Sequence, residues 1–150
     1  MKVHEILQSS TQIFIVSDYI GCGLSLTDWM MHRMEHGIQP LKEFEVKYFA
    51  YQLLSCLEEM HKINVFHGNI CSDKIIIEND IDNLLEFKLI DFGTAGFTNR
   101  DTVFEKNKHT IKAFTPPEIA NGQSYNKPVD VWGTIALIFL LLLQDLPFKG

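Results

Sequence analysis

Between Glu43 and His61 the apolar residues recur at Val46, Phe49, Ala50, Leu53, Leu54, Leu57 and Met60. That three-and-four spacing puts them on one face of a helix. Ile13-Phe14-Ile15-Val16 is a short, partly β-branched run that reads as a buried strand, ended by the break at Gly21-Cys22-Gly23. Leu26 to Met34 reads as a short helix that stops at Gly37. Ile75-Ile76-Ile77 and Phe87-Lys88-Leu89-Ile90 read as two strands, with the polar connection Asn79, Asp80, Asp82 and Asn83 between them. Gly93 to Lys112 is polar, threonine-rich and weakly patterned, which predicts a long surface loop closed by Pro116-Pro117. Asp130 to Leu143 is apolar all round, so as a helix it belongs in the middle of a core, with Pro147 stopping it. The order is mainly helical after a strand-rich start. Nothing repeats at a fixed period.

Composition narrows the class. Of 150 residues, 46% are hydrophobic and 21% charged, an ordinary globular balance that suits one domain. Thirteen basic and nineteen acidic residues give a net charge of −6, with no basic stripe, so neither nucleic acid nor an anionic membrane surface is an expected partner. The apolar stretch Val129–Leu143 is shorter than the roughly 20 residues that a bilayer span needs, and it contains Asp130. The amino end lacks the apolar run of a signal peptide. Cys22, Cys56 and Cys71 follow no metal-site spacing and are odd in number, which reads as reduced thiols in a cytoplasmic or nuclear protein.

Candidate chemistry begins at Asp91-Phe92-Gly93, where a carboxylate at a strand end beside a glycine could ligate a divalent cation. His67-Gly68-Asn69 lies upstream, and Pro116-Pro117-Glu118, Asp130-Val131-Trp132-Gly133 and Leu146-Pro147-Phe148 lie downstream. In order and spacing these blocks resemble the protein kinase domain from its fifth strand to its large central helix, and the similarity extends over nearly the whole chain. Ile13 to Tyr19 resembles the strand and hinge that hold adenine. Tyr48 to Leu54, with Leu57 and His61, resembles the helix before the catalytic loop. Val65 to Ile77 resembles the catalytic loop, Lys88 to Gly93 the metal-binding strand and loop, and Thr115 to Glu118 the segment that closes the activation loop. The pattern is similar to serine/threonine kinases of the calcium/calmodulin- and energy-sensing type.

The resemblance implies an α+β, mainly α fold: the C-terminal lobe of a protein kinase domain preceded by remnant strands. Residues 1–23 would be strands and hinge and residues 24–150 the lobe up to the central helix, together one partial domain. The N-lobe, with its glycine-rich loop, strand lysine and partner glutamate, and the last helices of the lower lobe are expected to be missing. It also implies ATP and Mg2+ as ligands. Asp91 would hold the metal, Asp18 and Ile20 would meet the adenine edge, Ser17 would be a small gatekeeper and Ile76 the floor under the base.

Departures from the family pattern fall on the residues that carry its chemistry. The catalytic Asp is replaced by Asn69, whose amide cannot act as a carboxylate base. The metal-holding Asn is replaced by Lys74, an ammonium with no lone pair for a cation. Cys71 stands where a Lys steadies the γ-phosphate, and Gly68 where an Arg reads activation-loop phosphates. The substrate-adjacent Ser/Thr position falls at Ile111, with Thr110 one place off. The expected function is therefore a pseudokinase-like signalling module that binds a protein partner, with ATP and Mg2+ binding weakened or lost. A divergent active kinase and a truncated remnant are the alternatives.

The remaining candidates have plainer readings. His67 is expected to pack on Phe92, and Asp130 to hydrogen-bond the catalytic-loop backbone. Tyr48, Phe49 and Tyr51 read as helix packing, and His32 and His36 as surface residues rather than a metal pair. Thr98, Thr102 and Thr110 are candidate phosphorylation sites on a loop. Glu118 is expected to be solvated, lacking its family partner, and one face of the Val131–Leu143 helix to be exposed.

Overall fold

The computed structural model describes residues 2–21, 23–98 and 112–148. Ten elements follow in order: β1 (Val3–Gln8), β2 (Ile13–Ser17), α1 (Leu26–Glu35), α2 (Glu43–Lys62), β3 (Val65–Phe66), β4 (Ile75–Ile81), β5 (Leu84–Leu89), β6 (Gly96–Phe97), α3 (Pro117–Ala120) and α4 (Pro128–Leu143). Three antiparallel pairs form, β1 with β2, β3 with β6 and β4 with β5. No helix among the described residues is long and apolar enough to cross a membrane. Cys22, Thr102, Thr110, Ile111 and most of the expected 93–112 loop lie outside the described residues.

Local chemistry explains the ends. Ser25 caps α1: its hydroxyl accepts the Asp28 amide at 3.1 Å, and the Asp28 carboxylate reaches back to Ser25. The β4–β5 connection is two residues long, and both, Asp82 (φ 53°) and Asn83 (φ 64°), are left-handed, as a tight hairpin turn requires. Asn83 accepts from Arg33 Nη1 at 2.7 Å and donates to Glu45 at 3.2 Å, so the turn is bolted to α1 and α2.

The core lies where α2 crosses α4 and the β4–β5 hairpin. Phe49, Leu53 and Leu57 of α2 meet Leu137 and Leu141 of α4 and Ile75, Ile77 and Leu85 of the hairpin, all buried. A small second cluster joins Phe66, Ile119 and Val129.

Three expectations are corrected. Ile13–Val16 forms a strand, but an exposed one, because among the described residues nothing packs on the two-stranded β1–β2 ribbon. Tyr48 and Tyr51 point to solvent, Tyr51 being 72% exposed, while Phe49 alone of the three is buried. α4 is not buried all round. Asp130, Gly133, Thr134 and Leu137 face inward, whereas Val131, Ile135 and Leu143 are exposed, so its outer face is open as the resemblance implied.

Candidate functional site

The loop from His67 to Lys74 joins β3 to β4 across the inner face of α4. Asp130 of α4 is fully buried and holds that loop from below. Its carboxylate accepts the backbone N–H of His67 at 2.9 Å and of Gly68 at 2.8 Å, and pairs with His61 Nε2 of α2 at 2.8 Å. Two loop amides thus find a fully buried acceptor. α4 comes this close because residue 133 is glycine: a Cβ there would run into the Ile70 carbonyl oxygen and lie 2.8 Å from Ile70 Cβ.

His67 is buried and structural. Its Nδ1 accepts the Asn69 N–H at 3.3 Å, so Nε2 carries the proton and donates to the Ile90 carbonyl at 3.0 Å. Burial pushes its pKa below the usual histidine value and keeps it neutral. The ring lies edge-on to Phe92 at 5.0 Å. Thr94 adds a bond that the sequence did not signal, its hydroxyl donating to the His67 carbonyl at 2.9 Å.

Gly68 adopts φ +80°, and a Cβ there would sit 2.6 Å from the Thr94 carbonyl oxygen. The loop backbone has therefore taken a shape that suits glycine and disfavours a side chain.

Asn69 is buried, 8% exposed, and its Oδ1 has no hydrogen-bond partner among the described residues. Cys71 is buried in the core, and burial raises its thiol pKa, so it presents a neutral thiol where the family pattern has an ammonium.

Lys74 ends a short 3-10 turn over Ser72–Lys74. Its backbone is pinned on both sides, with N–H donating to the Cys71 carbonyl at 3.0 Å and the carbonyl accepting from Ile90 N–H at 2.9 Å. Its Nζ lies 2.7 Å from Asp91 Oδ2. Asp91 is itself left-handed (φ 63°), and its Oδ1 accepts the Gly93 N–H at 3.2 Å. Both carboxylate oxygens are thus engaged. The Lys74 hydrogen bond holds Asp91 below the usual carboxylate pKa, and Asp91 in turn raises that of Lys74. A divalent cation needs several oxygen ligands. Among the described residues no group of three His, Cys, Asp or Glu is placed to hold one, and the single carboxylate here already carries an ammonium. Asp91, the carboxylate that the resemblance assigned to the metal, is thus engaged by an ammonium, which disfavours a second cation beside it.

The residues that the resemblance assigned to adenine are Asp18, Ile20 and Ile76. Asp18 accepts the Lys2 N–H at 2.7 Å and pairs with His4 at 2.6 Å, and these bonds, that to Lys2 first, lower its pKa. Asp18 N–H donates to the Lys2 carbonyl, and the Ile20 carbonyl accepts from Gly23 N–H at 2.9 Å. Part of the hinge backbone is therefore spent on holding the hinge itself. Ile20 and Ile76 are half-buried, and the turn at Gly21 abuts Ile77 and Glu78 of β4. The structure thus brings His67, Asn69, Lys74 and Asp91 into one cluster and leaves Asp18 and Ile20 on the hinge. His32 and His36 stack on each other with centroids 4.2 Å apart. Thr98 is tied to Asn64, and Glu118 is half-buried with no ion pair among the described residues.

Comparison with known proteins identifies the family. The sequence pattern of the protein kinase domain matches residues 1–150. The chain is 28% identical over 151 residues to NUAK family SNF1-like kinase 2 of Homo sapiens, covering 100% of this chain and 22% of that protein. It is 30% identical over 148 residues to the probable serine/threonine-protein kinase KIN1 homolog of Encephalitozoon cuniculi, covering 98% of this chain and 24% of that protein. It is 24% identical to the SNF1-related protein kinase catalytic subunit alpha KIN12 of Arabidopsis thaliana, covering 28% of that protein. The chain spans about a quarter of the length of the curated relatives it matches.

Proposed function

The chain belongs to the protein kinase domain family, and from that premise we propose that it is a catalytically impaired member, a pseudokinase-like module that acts in signalling by binding a protein partner rather than by phosphoryl transfer. In this reading residues 1–23 are the hinge side and residues 24–150 the lower lobe. Reduced thiols, Cys56 and Cys71 among them, fit a cytoplasmic or nuclear setting.

The observation that carries the reading is the Lys74–Asp91 ion pair at 2.7 Å. Kinase chemistry rests on positioning and on metal ions that neutralise the phosphates. A divalent ion bound to Asp91 about 4 Å from the ammonium would be repelled by ~2 kcal/mol in bulk water and ~8 kcal/mol at an effective dielectric of about 20. Asn69 compounds the loss, since removal of a general base contributes about 10²–10⁴-fold. The scaffold under the loop is kept in full: Asp130 still holds the amides of His67 and Gly68, and His67 still packs on Phe92. Order is retained while the groups that react are replaced.

The test is transfer of radiolabelled phosphate from ATP with magnesium to a generic protein substrate by the 150-residue chain. The expected result is no incorporation above the protein-free blank. Incorporation that disappears in Asp91→Ala would refute the reading.

A further inference from the structure

We propose that the Lys74 ammonium permanently occupies the place of a divalent cation against Asp91, so that this cluster takes the triphosphate chain of a nucleotide without any divalent metal. The inference rests on the reading above, in which phosphoryl transfer is lost, and adds to it a ligand and the way that ligand is held.

Local charge is the first support. Asn69 is an uncharged amide, Cys71 a neutral thiol, and Lys74 and Asp91 cancel one another. Among these four residues the charges cancel with no metal present, and the neighbouring Asp73 carboxylate, bonded to Thr27, adds a negative charge beside Lys74.

Hydrogen-bond capacity is the second. An ammonium has three donors and no acceptor. Among the described residues Asp91 Oδ2 is the one acceptor within hydrogen-bond distance of Lys74 Nζ, at 2.7 Å, which leaves two N–H groups for phosphate oxygens. The Lys74 side chain is 25% exposed and that of Asp91 47%, so a ligand in solvent reaches the pair.

Rigidity is the third. The Lys74 backbone is bonded to Cys71 on one side and to Ile90, the residue before Asp91, on the other. Asp91 is locked by its own bond to Gly93 N–H. The backbone that carries the ammonium is held before any ligand arrives, and the ion pair with Asp91 sets where the ammonium points.

The arrangement reverses the usual expectation for Asp91. Where the carboxylate holds a bridging metal, its loss abolishes nucleotide binding. Where the ammonium does the work, the carboxylate only competes for it and repels phosphate, so its loss leaves binding intact or tightens it.

The experiment titrates ATP into the full 150-residue chain by calorimetry, once with EDTA and once with excess magnesium. The expected dissociation constants agree within fivefold. Asp91→Asn is expected to bind ATP in EDTA as tightly as the parent or more tightly, and Lys74→Met to bind it at least fivefold more weakly. Inorganic tripolyphosphate, run in parallel, reads whether the phosphate chain alone suffices or the nucleoside adds to it. A requirement for magnesium of fivefold or more, no binding of ATP in either buffer, or a fivefold loss in Asp91→Asn would each overturn the proposal. The comparison of EDTA with magnesium and the Asp91→Asn result stand even where Lys74→Met fails to fold. Phosphate transfer, measured separately, would defeat the impaired-kinase reading alone, whereas a magnesium requirement without transfer would defeat only this one.

Discussion

Gly68 falls where the resemblance would place an arginine, and introducing a side chain there is predicted to damage the protein. In an unstrained loop, Gly→Ala stabilises by ~0.4–1 kcal/mol by narrowing the unfolded ensemble. Here φ is +80°, and left-handed backbone costs an L-residue ~1–2 kcal/mol. The new Cβ would also lie 2.6 Å from the Thr94 carbonyl oxygen. That oxygen cannot retreat freely, because the Thr94 hydroxyl is bonded to the His67 carbonyl at 2.9 Å. Overpacking of this kind costs ~1–3 kcal/mol. Moving Gly68 instead would pull its N–H off the Asp130 carboxylate, which holds it at 2.8 Å. The terms leave a net loss of roughly 2–4 kcal/mol for Gly68→Ala, or a melting temperature lower by roughly 4–16 °C in a chain of this size. Gly68→Arg should lose at least as much, since it adds the same Cβ. Urea unfolding at constant m-value reads the loss directly. A Gly68→Ala chain as stable as the parent, or more stable, would refute the reasoning and show that the loop readily adopts another shape.

Two further predictions follow from the same cluster. Gly133→Ala ought to gain ~1 kcal/mol by helix propensity alone, yet its Cβ meets the Ile70 carbonyl and Cβ, so a net loss of ~1–3 kcal/mol is expected in urea, and a gain would contradict the close approach of α4 to the loop. Burial depresses the pKa of His67, so the unfolded chain takes up its proton first as pH falls below 6.5, and stability should drop by at most ~1.4 kcal/mol per pH unit until the folded pKa is reached. Melting temperatures from pH 8 to pH 5 for the parent and His67→Gln check this, and parallel curves would exclude His67 as the source.

Much of the architecture could be read along the chain because its signals are local. The α2 spacing marks its buried face, and the polar residues around Asp82-Asn83 announce the hairpin. The proposal of impaired catalysis also starts from the sequence, since an amide at Asn69 and an ammonium at Lys74 are chemical facts before any folding. What those residues do instead depends on distance. Nothing in the order of residues says that Lys74 reaches Asp91, 17 positions away along the chain, or that the Asn69 oxygen is left unpaired. Burial was likewise undecided. Ile13–Val16 and Tyr51 are apolar enough for a core but face solvent, because hydrophobicity names a preference and only packing supplies the partner. The sequence by itself determined the family and the types of β2, β4, β5, α1, α2 and α4. The tertiary structure alone decided that Gly68 is conformationally committed, that Asp130 holds the His67–Gly68 backbone in shape, and that the Lys74 ammonium stands against Asp91, since each of these depends on groups distant in sequence meeting at close range.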